Sequence, residues 1–141
     1  MNIRKNTVLL LIVFTGFGCS TSVSQSRAKL TAKPDCKSEF DVARPYQSVF
    51  VDVKRQLMDY KTAWPGNEWL VDGYVDEYEK TADVTCTWLN MAFGANTYLY
   101  VTLKPIDANS CSVSIYGLNQ SGGCSIAKKL EASILSKHTT Q

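Results

Sequence analysis

The chain has 141 residues, 20% charged and 45% hydrophobic, which is one domain's worth of sequence with too much apolar content for a disordered protein. Its formal net charge is +2, from 15 Lys+Arg against 13 Asp+Glu, and it falls to zero once Arg4 and Lys5 are set aside as part of a removed leader, so nucleic acid is not an expected partner. The single histidine, His138, stands in a polar C-terminal tail, which leaves most hydrolytic and metal chemistry without its usual side chain.

Arg4 and Lys5 open the chain, residues 7–15 form a short apolar run, and Gly16-Phe17-Gly18-Cys19 follows. A basic start, a brief apolar stretch and small residues at the cut are the marks of a secretory signal, and the run is well short of the ~20 residues that span a bilayer. Ending on a cysteine, the segment resembles a bacterial lipoprotein precursor, with Gly18 and Cys19 matching the family pattern and Gly16 and Phe17 departing from it. That resemblance implies a signal peptide over 1–18 and a diacylglyceryl thioether with palmitate-type acylation on Cys19. It also implies insertion in the outer membrane facing the periplasm, because Ser20 rather than Asp follows the anchor.

Residues 19–35 are Ser/Thr-rich, basic through Arg27, Lys29 and Lys33, and lack apolar periodicity. They are expected to form a flexible lipidated tether, spanning on the order of 20 Å as a coil and ~50 Å when extended.

Residues 36–141 are expected to form one disulfide-stapled domain. Residues 39–42 are an expected edge strand. Residues 43–61 are an expected helix, with Pro45 in its first turn and Tyr46, Val49, Phe50, Val53, Leu57 and Tyr60 on one stripe. After the Trp64-Pro65-Gly66-Asn67 loop, four segments alternate with period two, over 69–79, 84–90, 97–104 and 111–117. Short links between them favour an antiparallel meander, with residues 81–82 as a turn and 92–96 as a loop. Ser121-Gly122-Gly123 breaks the chain, and residues 124–136 read as a second amphipathic helix. The expected architecture is α+β in two layers, an antiparallel sheet of four to five strands with two helices on one face. This order resembles the helix-grip domains of small envelope lipoproteins of the β-barrel assembly machinery, over about residues 38–136, without a functional motif to carry across.

Apart from Cys19 the cysteines are Cys36, Cys86, Cys111 and Cys124, an even number in an exported chain and without metal-ligand spacing, so two structural bridges are expected in one of three pairings. The helix-grip order implies Cys36–Cys124 with Cys86–Cys111, the alternative being Cys36–Cys111 with Cys86–Cys124.

No nucleophile–base pair or phosphate loop is present, no cofactor is expected, and Asp72 and Asp76 on one strand face lie ~13 Å apart, too far for a glycosidase pair. The notable feature is aromatic. Strand parity places Tyr74, Tyr78, Tyr98, Tyr100 and Tyr116 on the sheet face that the two helices leave open. Such an amphipathic surface suits a non-catalytic docking module for an envelope protein or a glycan. The alternative expectation is a small-ligand carrier or enzyme using a cavity between the sheet and its helices.

Overall fold

The computed structural model describes residues 22–62, 69–90 and 94–137. Cys19, the Trp64–Asn67 loop and His138 lie outside the described residues.

The fold is α+β around one antiparallel five-stranded sheet. In chain order its elements are helix α1 (Val23–Ala32), strand β1 (Cys36–Val42), helix α2 (Tyr46–Thr62), strands β2 (Trp69–Asp76), β3 (Thr81–Asn90), β4 (Gly94–Pro105) and β5 (Cys111–Gly117), and helix α3 (Gly123–Ser136). The strand order is β1-β5-β4-β3-β2, so β2 to β5 form the expected meander and β1 closes beside β5 as the expected edge strand. The turn between β2 and β3 falls at 77–80 rather than at 81–82, because the Asp76 side chain accepts from the backbone N–H groups of Tyr78 and Glu79, both at 2.9 Å, and reverses the chain before Thr81.

The alternating apolar residues do what period two requires. Val84 and Cys86 on β3, Leu99, Val101 and Leu103 on β4, and Val113 and Ile115 on β5 are buried on one face, where α2 contributes Val49, Val53 and Leu57 and α3 contributes Ala127, Leu130 and Ile134. Most of these side chains are essentially sealed from water, at roughly 1.5–3 kcal/mol each for the larger aliphatics.

One carboxylate in the first half of α2 joins that helix to the C-terminal end of α3. Asp52 accepts from Arg44 and Arg55, each at 2.8 Å, and pairs with Lys137 at 3.1 Å. Burial pushes its acidity down, but the hydrogen bonds from Arg44 and Lys137 outweigh this and hold the carboxyl below its ordinary value of 3.8. A group whose folded pKa is lowered stabilises the fold above its unfolded pKa, and that stability is lost as pH falls through the folded value. Asp52→Asn is therefore expected to cost about 2 kcal/mol near pH 6, since charged hydrogen bonds to the half-buried Arg44 are lost. The gap from wild type should close below about pH 4. Urea unfolding at several pH values measures it.

The expected tether and the second expected disulfide also fail. Residues 23–32, expected within the tether, form α1, which packs on the sheet face opposite α2 and α3. Ser22 and Gln25 form a reciprocal capping box: the Ser22 hydroxyl accepts from the Gln25 N–H at 3.3 Å, and the Gln25 amide oxygen accepts from the Ser22 N–H at 3.1 Å. Leu30 is then 2% exposed and Ser26 5% exposed, so the segment buries side chains despite its polar composition.

The second failure is a disulfide. Cys36–Cys124 is formed, with Cα atoms 5.9 Å apart, but Cys86 and Cys111 are free and buried. Cys86 pairs with Leu99 and Cys111 with Pro105, six residues further along β4, so the two thiols are ~20 Å apart along the strands and two strands apart across them. The 97–104 segment sits between them, and no bridge can reach. Burial pushes the Cys86 thiol up to about 12 and the Cys111 thiol up to about 11, so neither presents thiolate at neutral pH. Iodoacetamide is expected to leave both unlabelled in the native protein and to label both in denaturant without reductant. A third labelled thiol in denaturant would be Cys19 and would show that residue unacylated; labelling of Cys86 or Cys111 in the native state would contradict their burial.

Candidate functional site

The strand register fixes what shares the outer face. One row across the sheet reads Lys37, Tyr116, Tyr100, Thr85 and Asp72, and the next reads Glu39, Ser114, Thr102, Asp83 and Tyr74. The five tyrosines expected here do not form one surface. Each has a distinct place.

Tyr100 and Tyr116 are cross-strand partners, with ring centroids 6.1 Å apart and planes inclined by 26°. A cation covers each ring: the Arg27 guanidinium of α1 lies 5.2 Å from the Tyr100 centroid, and the Lys37 ammonium lies 5.5 Å from that of Tyr116. Arg27 also pairs with Asp83 at 3.5 Å, and the Tyr100 hydroxyl reaches the same carboxylate at 3.5 Å. Burial raises the Asp83 carboxyl above its ordinary value, and neighbouring Asp72 adds to this, while Arg27 and Tyr100 pull it back only in part. Burial and the Asp83 charge likewise raise the Tyr100 hydroxyl. This cluster spends Tyr100 on seating α1 and covers Tyr116 with Lys37 of β1.

Tyr98 is not part of an open surface either. Cys86 pairs with Leu99 and Thr87 with Thr97, so the register shifts by one residue at Tyr98, which forms a bulge. Parity inverts at that point. Thr97 joins the outer face beside Thr87, their hydroxyls 3.2 Å apart, and Tyr98 is 5% exposed. The β4 bulge also gives α1 a polar foothold, because the Thr97 N–H donates to the Ser26 hydroxyl at 2.6 Å.

Only Tyr74 and Tyr78 remain open, at 62% and 92% exposed. Tyr74 lies on the outer face of edge strand β2 between Asp72 and Asp76, with Asp83 as its cross-strand partner. Tyr78 stands on the 77–80 turn beyond it. Together they make a small aromatic, acidic rim at one end of the sheet.

At the opposite end, where β3 leads toward β4, α1 overhangs the sheet and leaves a cleft of about 580 Å³. Its lining includes Lys29 and Leu30 from α1, Lys33 that caps the C-terminus of that helix, Trp88 from β3 and Asn96 from β4. The volume falls within the range of ligand clefts, ~300–1,000 Å³. Sequence reasoning missed it because the cleft needs α1, and the one local signal for α1 was the Ser22–Gln25 capping spacing. The space expected to hold a ligand, between the sheet and α2 and α3, is instead occupied by the aliphatic core.

Among the described residues no cluster of His, Cys, Asp and Glu is grouped to hold a metal ion, and no helix is long and apolar enough to cross a membrane. No protein-family model matches the chain, and no curated protein matches it.

Two substitutions test this arrangement. Ser26→Ala leaves the buried Thr97 N–H without its acceptor and is expected to cost roughly 1–3 kcal/mol, with faster hydrogen exchange at Thr97. Tyr98→Ala is expected to cost about 3 kcal/mol, against no more than ~0.5 kcal/mol for Tyr74→Ala, as read by chemical denaturation. Equal effects of the two tyrosine changes would contradict the bulge.

Proposed function

We propose that the protein is a small, non-catalytic envelope lipoprotein, anchored in the bacterial outer membrane through Cys19, whose domain docks a periplasmic protein or glycan. The observation that supports docking is the exposed rim of Tyr74 and Tyr78 beside Asp72 and Asp76. A tyrosine that keeps most of its ring in water, on a strand flanked by carboxylates, offers an apolar plate for stacking and several hydrogen-bonding oxygens. A basic peptide or a sugar ring fits that chemistry. Because β2 is an edge strand among the described residues, the rim is reachable from the side as well as from above.

A photo-crosslinking residue placed at Tyr74 is expected to give a discrete adduct in the native envelope, and the same residue at Lys128, on the opposite side of the sheet, is expected to give none. Muramidase digestion then separates a glycan adduct from a protein one. Equal yields from both positions, or none from Tyr74, would overturn the docking role.

A further inference from the structure

We propose that the α1 end of the domain lies against an anionic phospholipid surface, with Lys29 and Lys33 reaching its headgroups. The inference rests on the lipid anchor at Cys19.

The first support is the length of chain. Ser22 is the N-cap of α1, so only Ser20 and Thr21 separate that cap from the anchoring cysteine. Three residue steps reach at most ~10 Å in any conformation. The domain therefore cannot stand off the bilayer as a 16-residue tether would allow. Lys29 sits only seven residues beyond Ser22 along the helix, ~10 Å at 1.5 Å per residue.

The second support is charge. Lys29 and Lys33 are exposed and line the cleft beside half-buried Trp88, and no acidic residue is among the described residues that line it. The other basic groups of this region are already engaged, Arg27 with Asp83 and Lys37 with Glu39 at 2.9 Å. The third support is the apolar surface at the same end of the sheet. Leu70 and Leu89 are each 40% exposed there, on adjacent strands β2 and β3. Lysines around exposed leucines and a tryptophan are the composition of a surface that settles into the headgroup layer. The acidic rim of Tyr74 and Tyr78 lies at the other end of β2 and β3, directed away from such a membrane.

The test uses the full chain, processed and acylated in a bacterial host, and reconstituted either in vesicles of phosphatidylcholine with 30% phosphatidylglycerol or in phosphatidylcholine alone. Flotation reads the anchor. A membrane-impermeant amine reagent followed by peptide mass spectrometry reads each lysine. Lys29 and Lys33 are expected to react at least fivefold more slowly in the anionic vesicles than in nonionic detergent, while Lys128 and Lys129 of α3 keep their reactivity. Fivefold per lysine is the equilibrium equivalent of the ~1 kcal/mol that a basic residue gains at an anionic surface. Protection should fade as salt rises. Flotation without protection of Lys29 and Lys33, or equal protection on phosphatidylcholine alone, overturns the inference and leaves the anchor standing. Failure to float overturns the anchor and the inference with it.

Discussion

The fold depends on one crowded junction at the end of β5. Gly117 closes that strand opposite Cys36, and an added Cβ there would meet the Cys36 sulfur at 2.8 Å. Six residues later Gly123 opens α3, and a Cβ there would lie 2.5 Å from the Tyr98 carbonyl oxygen and 2.6 Å from that of Leu118. No side chain fits at either place. Between the two glycines the Leu118 N–H donates to the Tyr98 oxygen at 2.9 Å and the Cys124 N–H donates to the Leu118 oxygen at 3.1 Å, so the β4 bulge and the start of α3 are bonded through one residue. The Asn119 N–H donates to the Asp35 carboxylate at 2.8 Å, and the Asp35 N–H to the Gly117 oxygen at 3.0 Å, which adds the start of β1. The Cys36–Cys124 bridge then locks in place what these bonds have aligned. It closes a loop across 88 residues, and the chain-entropy model credits such a loop with about 4.5 kcal/mol.

This junction explains how α1 comes to cover the outer face. The chain leaving α1 has only Lys33, Pro34 and Asp35 before β1, and Asp35 is held at the junction. The helix must therefore lie near the β5 and β4 end of the sheet. It finds there the bulge at Tyr98, which turns the Thr97 N–H out of the ladder toward Ser26, and the Tyr100 ring under Arg27. A polar helix needs such placed partners, since its own apolar burial is little more than Leu30. The bulge thus serves both sides: its carbonyl receives the α3 junction, and the residue before it receives α1.

The strands, both long helices and the meander order were legible because alternation, the 3.6-residue stripe and short links are direct images of a one-sided core, whereas the β1–β5 pairing was expected only from the helix-grip resemblance. Cys36–Cys124 was likewise implied by that resemblance, and the bridge is formed. What was not legible has a common physical origin. Strand parity assumes an unbroken ladder, and a single bulge on β4 takes Tyr98 out of that parity, leaves it buried and sets Thr97 on the outer face opposite Thr87. The place of Cys111 depends on stagger between strands, which alternation does not encode. Helix α1 has no apolar stripe to read, and only the Ser22–Gln25 capping pair distinguishes it from a linker. Of the candidate face, the sequence located Tyr74, Tyr100 and Tyr116 on the right side of the sheet, but not the helix that covers Tyr100.

That helix changes what the outer face can do. An uncovered sheet would present its tyrosines as a single plate with no preferred direction. With α1 in place the face divides into unlike ends, a cleft bearing two lysines beside β3 and β4 and an acidic tyrosine rim by the β2–β3 turn. The Arg27–Asp83 pair sits between them and neutralises the one carboxylate that the helix approaches, so the separation of charge along the face is kept rather than blurred. A chain anchored at Cys19, three residues before the N-cap of α1, would hold α1 and its lysines near the anchor and leave the acidic rim as the surface that a periplasmic partner meets first. Orientation then follows from helix position and charge, with no need for a rigid stalk.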